Sequence, residues 1–155
     1  TYLLIELREI YPKGSDPREA MKAWHFMLGL CVFILVWVRL LARTFGGTPE
    51  IFPEPKGWQT LISKIVHLAL YVFMLGMPIL GWLVLSAAGK PIPFFGLELP
   101  ALIAANEELA KELKEIHEIG GTVGYWMIGL HAVGALFHHY IVKDNTMVRM
   151  LPGRD

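Results

Sequence analysis

Three long apolar stretches constrain this chain more than any other feature: Met21 to Arg43, roughly Gln59 to Ser86, and about Ile116 to Val142. Crossing the hydrocarbon core of a bilayer takes about 20 helical residues, and each stretch reaches that length. Backbone polar groups in lipid must be satisfied within the segment itself, so runs of this kind fold as transmembrane helices. Composition agrees. Of the 155 residues 54% are hydrophobic and only 18% charged, whereas soluble domains carry about 25% charge. Thr1 to Ile10 is too short to cross, since at about 1.5 Å per residue it covers half a span. No linker or repeat divides the chain, so residues 1–155 are expected to form a single transmembrane domain.

Loops rich in Pro and Gly separate the stretches, at Tyr11 to Ala20, Thr44 to Trp58 and Ala87 to Ala105. Asn106 is placed to cap a polar helix that runs directly into the last span, with Glu107 one turn before Lys111. The N-terminus has neither a basic start nor a small-residue cleavage site, so no secretory signal is read there. The single cysteine, Cys31, lies within an apolar run. A disulfide framework and covalent haem attachment through Cys-x-x-Cys-His are both excluded. Formal charge is zero, which favours neither nucleic acid nor a broadly anionic partner. The fourteen Lys and Arg divide equally between the two membrane faces, leaving orientation open by the positive-inside rule.

All six histidines fall in or at the ends of the spans, where ionisable side chains are costly and mark function by default. His117 and His131 lie fourteen residues apart, a rise of roughly 21 Å that returns to within about 40° of the same helix face. Two imidazoles stacked in this way can ligate two haems, one near each membrane surface. His25 sits at the same end of its helix as His117 does of its own, so the two could share one haem. His138 continues the stripe roughly 10 Å beyond His131. His67 enters from the opposite surface, at a depth between His131 and His138, and His139 suits the headgroup region. Hydrogen-bonded polar residues joining helices, or metal binding, are the alternative readings of these histidines.

Gly29, Gly121 and Gly134 each follow a ligand candidate by three or four residues. They would let a flat macrocycle approach the backbone, or serve close helix packing. Lys22 and Lys114 each precede a ligand candidate by one turn and could meet haem propionates or snorkel to the surface. Arg39, fourteen residues after His25, could touch an inner haem or a quinone, or snorkel. Trp24, Trp58 and Trp82 fit interfacial belts.

The chain resembles the prokaryotic cytochrome b561 family, in particular its superoxide oxidase type. The most specific residues are Gly129-Leu130-His131-Ala132 and Ala135-Leu136 with His138-His139-Tyr140. Lys143-Asp144-Asn145-Thr146 and Arg149-Met150 with Pro152 extend the match. Val38-Arg39-Leu40-Leu41 with Arg43, His67-Leu68 with Tyr71, and Pro78-Ile79 with Gly81 support it. The resemblance implies an all-α transmembrane four-helix bundle in the bacterial inner membrane, multi-pass with cytoplasmic termini, whose first helix is incomplete in this chain. It makes His25 and His117 axial ligands of a periplasmic haem b, and His131 a ligand of a second, cytoplasmic haem b. His67 and His138 match positions associated with ubiquinone. The family's partner for His131 is expected upstream of Thr1.

The reaction so implied passes electrons from periplasmic superoxide to ubiquinone, which also takes up two protons. His67 and His138 suit that proton chemistry because imidazole titrates near neutral pH. The face assigned to the periplasm carries ten acidic against seven basic residues. A local positive patch of Arg18, Lys22 and Lys114 is the expected means of steering superoxide there. An electron-transfer subunit docking a dehydrogenase or hydrogenase is the alternative, and a helix bundle passing metal ions a third.

Overall fold

The computed structural model of the protein describes residues 1–46 and 50–148. Arg149, Met150 and Pro152 of the resemblance, and Arg154 and Asp155 of the charge count, lie outside them. A short helix α1 (Tyr2–Leu7) runs into a 3-10 turn (Arg8–Ile10). Three long helices follow: α2 (Asp16–Gly46), α3 (Gly57–Ala87) and α4 (Glu107–Phe137), the last continued by a π turn over His138–Val142. All three are long and apolar enough to cross a membrane. The protein is therefore mostly helical, with three candidate spans and a shorter fourth helix.

Helix boundaries follow local chemistry. Asp16 and Glu19 stand in the first turn of α2, where carboxylates meet the positive end of the helix dipole. Pro17 sits there too, where no helical N–H is required. Gln59 Oε1 accepts from the Lys56 N–H at 2.8 Å and closes the start of α3. The other end of α3 is a Schellman arrangement. Lys90 N–H bonds the Leu85 carbonyl at 3.0 Å, Gly89 N–H bonds the Ser86 carbonyl at 3.0 Å, and Gly89 takes φ +61°. Asn106 caps α4 as expected, its Oδ1 accepting from the Glu108 and Leu109 N–H groups at 3.1 Å each. The expected Glu107–Lys111 pair does not form; Lys114 instead pairs with Glu118 at 2.7 Å.

The segment from Ala87 to Ala105, expected as loop, contains an antiparallel hairpin, β1 (Ile92–Phe94) and β2 (Leu97–Leu99). Phe95 and Gly96 form its two-residue turn, both at positive φ (48° and 86°), the signature of a type I′ hairpin. Ile92 is buried with Leu30 of α2 and Leu85 of α3, flanked by Phe26, Trp82, Phe94 and Leu99. This hairpin seals one end of the helix pair. The opposite end is closed by Asn145, whose backbone N–H donates to the Phe52 carbonyl at 3.1 Å and whose Oδ1 accepts from the Phe52 N–H at 2.8 Å.

Helix α3 packs between α2 and α4, and α1 packs on α2. Close approach of α3 and α4 depends on small residues. A Cβ on Gly124 would collide with the Tyr2 hydroxyl and the Phe73 ring, and one on Gly120 would lie 2.7 Å from the Met77 sulfur. Away from these contacts the spans are apolar and outward-facing, with Leu35, Leu68, Val72, Trp126 and Leu130 all more than 60% exposed. A surface of that kind suits lipid and not water.

Candidate functional site

Four of the six histidines fall into two pairs across helices. The rings of His25 on α2 and His117 on α4 have centres 6.2 Å apart and lie edge to face at 82°. Toward the other end, the rings of His67 on α3 and His131 on α4 are 5.3 Å apart at 74°. His67, expected somewhat deeper than His131, stands directly beside it. One helix thus supplies a member of each pair. Among the described residues, no three His, Cys, Asp or Glu side chains converge as a metal-ion site.

The first pair suits haem binding on two observations. The 6.2 Å between ring centres leaves room for a metal held by both imidazoles at about 2 Å each. His25 Nδ1 lies 3.2 Å from the Thr1 carbonyl oxygen. That oxygen can only accept, so the proton sits on Nδ1 and Nε2 is left free to bind a metal. His117 Nδ1 is buried with no hydrogen-bond partner among the described residues.

The glycines separate into two sorts. Nothing within 4 Å would meet a Cβ on Gly29 or Gly134, and on Gly121 a Cβ would only touch the Tyr2 ring at 3.9 Å. These three are therefore not the close-packing glycines. That role belongs to Gly120 and Gly124, which the spacing argument did not single out. Gly81 also matters, since a Cβ there would lie 3.2 Å from His117 Cε1 and crowd that ring.

The cations near the first pair are engaged. Lys22 pairs with Glu19 at 2.6 Å and Lys114 with Glu118 at 2.7 Å. Arg18 is turned inward and buried. Its guanidinium donates to the Arg8 and Tyr11 carbonyls at 3.1 and 2.9 Å and to both Glu9 oxygens at 2.9 and 3.0 Å. Those hydrogen bonds hold the Glu9 carboxyl below its ordinary value, with Arg8 adding to the effect. Arg18 therefore fastens the α1–α2 turn and does not belong to a steering patch, correcting the sequence expectation.

Near the second pair, Arg39 Nε donates to the Tyr71 hydroxyl at 3.3 Å, and Ser63 Oγ lies 3.2 Å from His67 Nδ1. His138 makes no contact with His67. Its Nδ1 lies 2.5 Å from Asp144 Oδ2. Burial opposes ionisation of Asp144, but the hydrogen bonds from His138 and Thr146 outweigh it and hold the carboxyl below its ordinary value. Sequence reasoning missed this partner. His139 stacks edge-on against Tyr140, with ring centres 4.7 Å apart.

The family described as prokaryotic cytochrome b561 matches residues 2–153. Cytochrome b561 homolog 1 of Escherichia coli (strain K12) is 38% identical over 154 residues, covering 99% of this chain and 88% of that protein. The probable superoxide oxidase CybB of Yersinia pestis is 37% identical over 148 residues, covering 96% and 83%. Cytochrome b562 of Cereibacter sphaeroides is 33% identical over 144 residues, covering 92% and 75%. With three apolar spans, histidines paired between helices and a family match along nearly its whole length, the chain belongs to the prokaryotic cytochrome b561 family of haem b-binding bacterial membrane electron-transfer proteins.

Proposed function

We propose that this single-domain protein holds two haems b and carries electrons from superoxide, at the surface nearer His25 and His117, to ubiquinone at the surface nearer His138. The observation that carries the reading is the stacking of two histidine pairs along α4, His25 with His117 and His67 beside His131. The name of the Yersinia pestis relative supports superoxide as the donor. In this reading the surface nearer His25 is periplasmic, in the inner membrane, and the C-terminal end of α4 faces the cytoplasm.

His25 and His117 would hold one haem and His131 would contribute to holding the other. Haem b would supply one-electron exchange at its edge. The protein's own part is to fix the imidazoles, exclude water and deliver protons. The Thr1 carbonyl sets the tautomer of His25. Gly29 and Gly121 keep the backbone beside the first pair free of side chains. Lys22 and Lys114 sit one turn from that pair, in exposed ion pairs weak enough to exchange a carboxylate for a propionate. Arg39, held against Tyr71, lies toward the second pair, and His67 and His138 serve the quinone by hydrogen bonding and proton transfer.

The test is stopped-flow absorption of the purified protein mixed with superoxide, with and without ubiquinone. Haem reduction by superoxide followed by reoxidation only when quinone is present is the expected result. Haem that superoxide leaves oxidised would defeat the reading and favour an electron-transfer subunit docking a dehydrogenase or hydrogenase. The ligand assignment has its own test. His117→Ala is expected to lower the haem-to-protein ratio by about half by pyridine haemochrome, as loss of an axial ligand requires. An unchanged ratio would contradict it.

A further inference from the structure

The end of α4 is built in an unusual way. The helix widens into the π turn at His138–Val142, and Lys143 then takes a left-handed conformation at φ +58°. The chain doubles back so that the Asp144 N–H donates to the His138 carbonyl at 3.3 Å. This reversal places the Asp144 carboxylate against the side of His138. The side chain of Asp144 is only 1% exposed. Its Oδ2 lies 2.5 Å from His138 Nδ1, and its Oδ1 accepts the Thr146 N–H at 2.9 Å. Asn145, next in the chain, pins the segment to Glu50 and Phe52 in the loop between α2 and α3.

Burying a carboxylate is expensive unless its oxygens are hydrogen-bonded, and ending a helix requires no such group. A non-glycine residue in the left-handed region adds a further cost. Both costs are accepted to hold a carboxylate against one imidazole nitrogen. A carboxylate accepts and does not donate, so the proton between the two groups belongs to Nδ1. Nε2 has no hydrogen-bond partner among the described residues, and the His138 side chain is 29% exposed.

We infer that Asp144 is a positioning residue: it fixes the orientation and tautomer of His138 so that Nε2 is the atom offered to a quinone oxygen. The inference rests on the reading of His138 as a quinone-facing group. When His138 is protonated, handing on a proton breaks Nε2–H and forms O–H on the quinone oxygen. The neutral imidazole keeps its Nδ1–H on Asp144 and is recharged from surface water. The electrons are those of the proposed superoxide reaction, two per quinone.

Asp144→Asn is the informative substitution, because the amide keeps the size and can donate to Nδ1, which favours the opposite tautomer. The corresponding exchange in serine-protease triads leaves the geometry intact and lowers turnover by about 10⁴ through the wrong tautomer. Two readouts are needed. Nitrogen-15 spectra of histidine-labelled protein in nanodiscs, with His138 assigned by His138→Gln, should show the Nδ1–H form in the wild type and its loss in Asp144→Asn. Quinone reduction by Asp144→Asn should fall at least about tenfold, while haem content and haem reduction by superoxide stay at wild-type levels.

Asn145→Ala separates positioning from simple anchoring, since it cuts the tie to the loop and leaves the carboxylate. It should keep the wild-type tautomer and rate. If Asn145→Ala reproduces both effects of Asp144→Asn, the segment is only a structural clip and the inference is overturned. Wild-type quinone reduction in Asp144→Asn also overturns it when His138→Gln is impaired. Should Asp144→Asn fail to accumulate, the wild-type spectrum decides alone: an Nε2–H form with Nδ1 unprotonated sinks the inference. If His138→Gln retains wild-type quinone reduction while Asp144→Asn still switches the tautomer, the fault lies in the quinone reading and the tautomer control stands.

Discussion

Individual side chains carry the chemistry here through what holds their second polar atom. His25 is oriented by the Thr1 carbonyl and His138 by Asp144, and in each case an acceptor-only group decides which nitrogen remains available. The Asp144 contact has a pH signature of definite sign. A carboxyl whose folded pKa lies below its unfolded value contributes stability above the unfolded value, and that contribution is lost as pH falls through the folded one. The ordinary value for aspartate is about 3.9. The tie between residues 144–146 and α4 should therefore hold at neutral pH and loosen only below about pH 4. Amide exchange at Thr146, whose N–H is bound to Asp144 Oδ1, measures this, and loss of protection already at neutral pH would contradict it. That His117 and His131 stand at two depths along one helix was legible, because helical rise and rotation follow from residue count alone. The Asp144–His138 contact was not legible, because it depends on a π turn and a left-handed residue that residue spacing does not encode.

At the level of elements, the turn between α1 and α2 and the seam between α3 and α4 are the two places where one residue decides the packing. Arg18→Ala would leave the Arg8 and Tyr11 carbonyls and the Glu9 carboxylate without their shared donor. The turn should lose about 1–3 kcal/mol, read as faster proteolysis and amide exchange over residues 1–15. Rates equal to wild type would show that the buried guanidinium is dispensable. Gly124→Ala drives a methyl into Tyr2 and Phe73 and should destabilise by about 1–3 kcal/mol in a thermal or denaturant titration. Gly76→Ala, where nothing would meet the added Cβ, is the control and should fall within about 0.5 kcal/mol of wild type.

The same elements mark how far the sequence could be read. Apolar length and Pro–Gly punctuation located three spans and the Asn106 cap. They did not reveal the hairpin, whose strands Ile92–Phe94 and Leu97–Leu99 are too short, and too interrupted by Pro93, to show alternation. The spacing that drew attention to Gly29 and Gly121 could not distinguish glycines that carry packing from those that do not. That difference lies in the neighbouring helix.

Over the whole molecule charge sums to zero, and it is paired locally beside the first histidine pair. Lys22, Lys114 and Arg18 are each paired with a glutamate within their own helix or turn. A surface of this kind produces little long-range attraction for a small anion. Haem reduction by superoxide should accordingly change less than about threefold between about 0.01 and 0.15 M salt. A steep fall with ionic strength would reveal a positive funnel that these pairings do not provide. Lipid is the partner the exterior does specify, through outward-facing Leu, Val and Trp along all three spans.

Because α4 contributes a histidine to both pairs, it serves as a ruler between the two redox centres proposed for this protein. Thermal rocking of α2 or α3 can change the angle at which an imidazole meets its counterpart, but the gap an electron must tunnel across is written into a single rod. Inserting one residue between His117 and His131 would swing one centre about 100° around that rod while lengthening it by only about 1.5 Å. The spacing of the two centres is therefore tolerant of motion and intolerant of insertion.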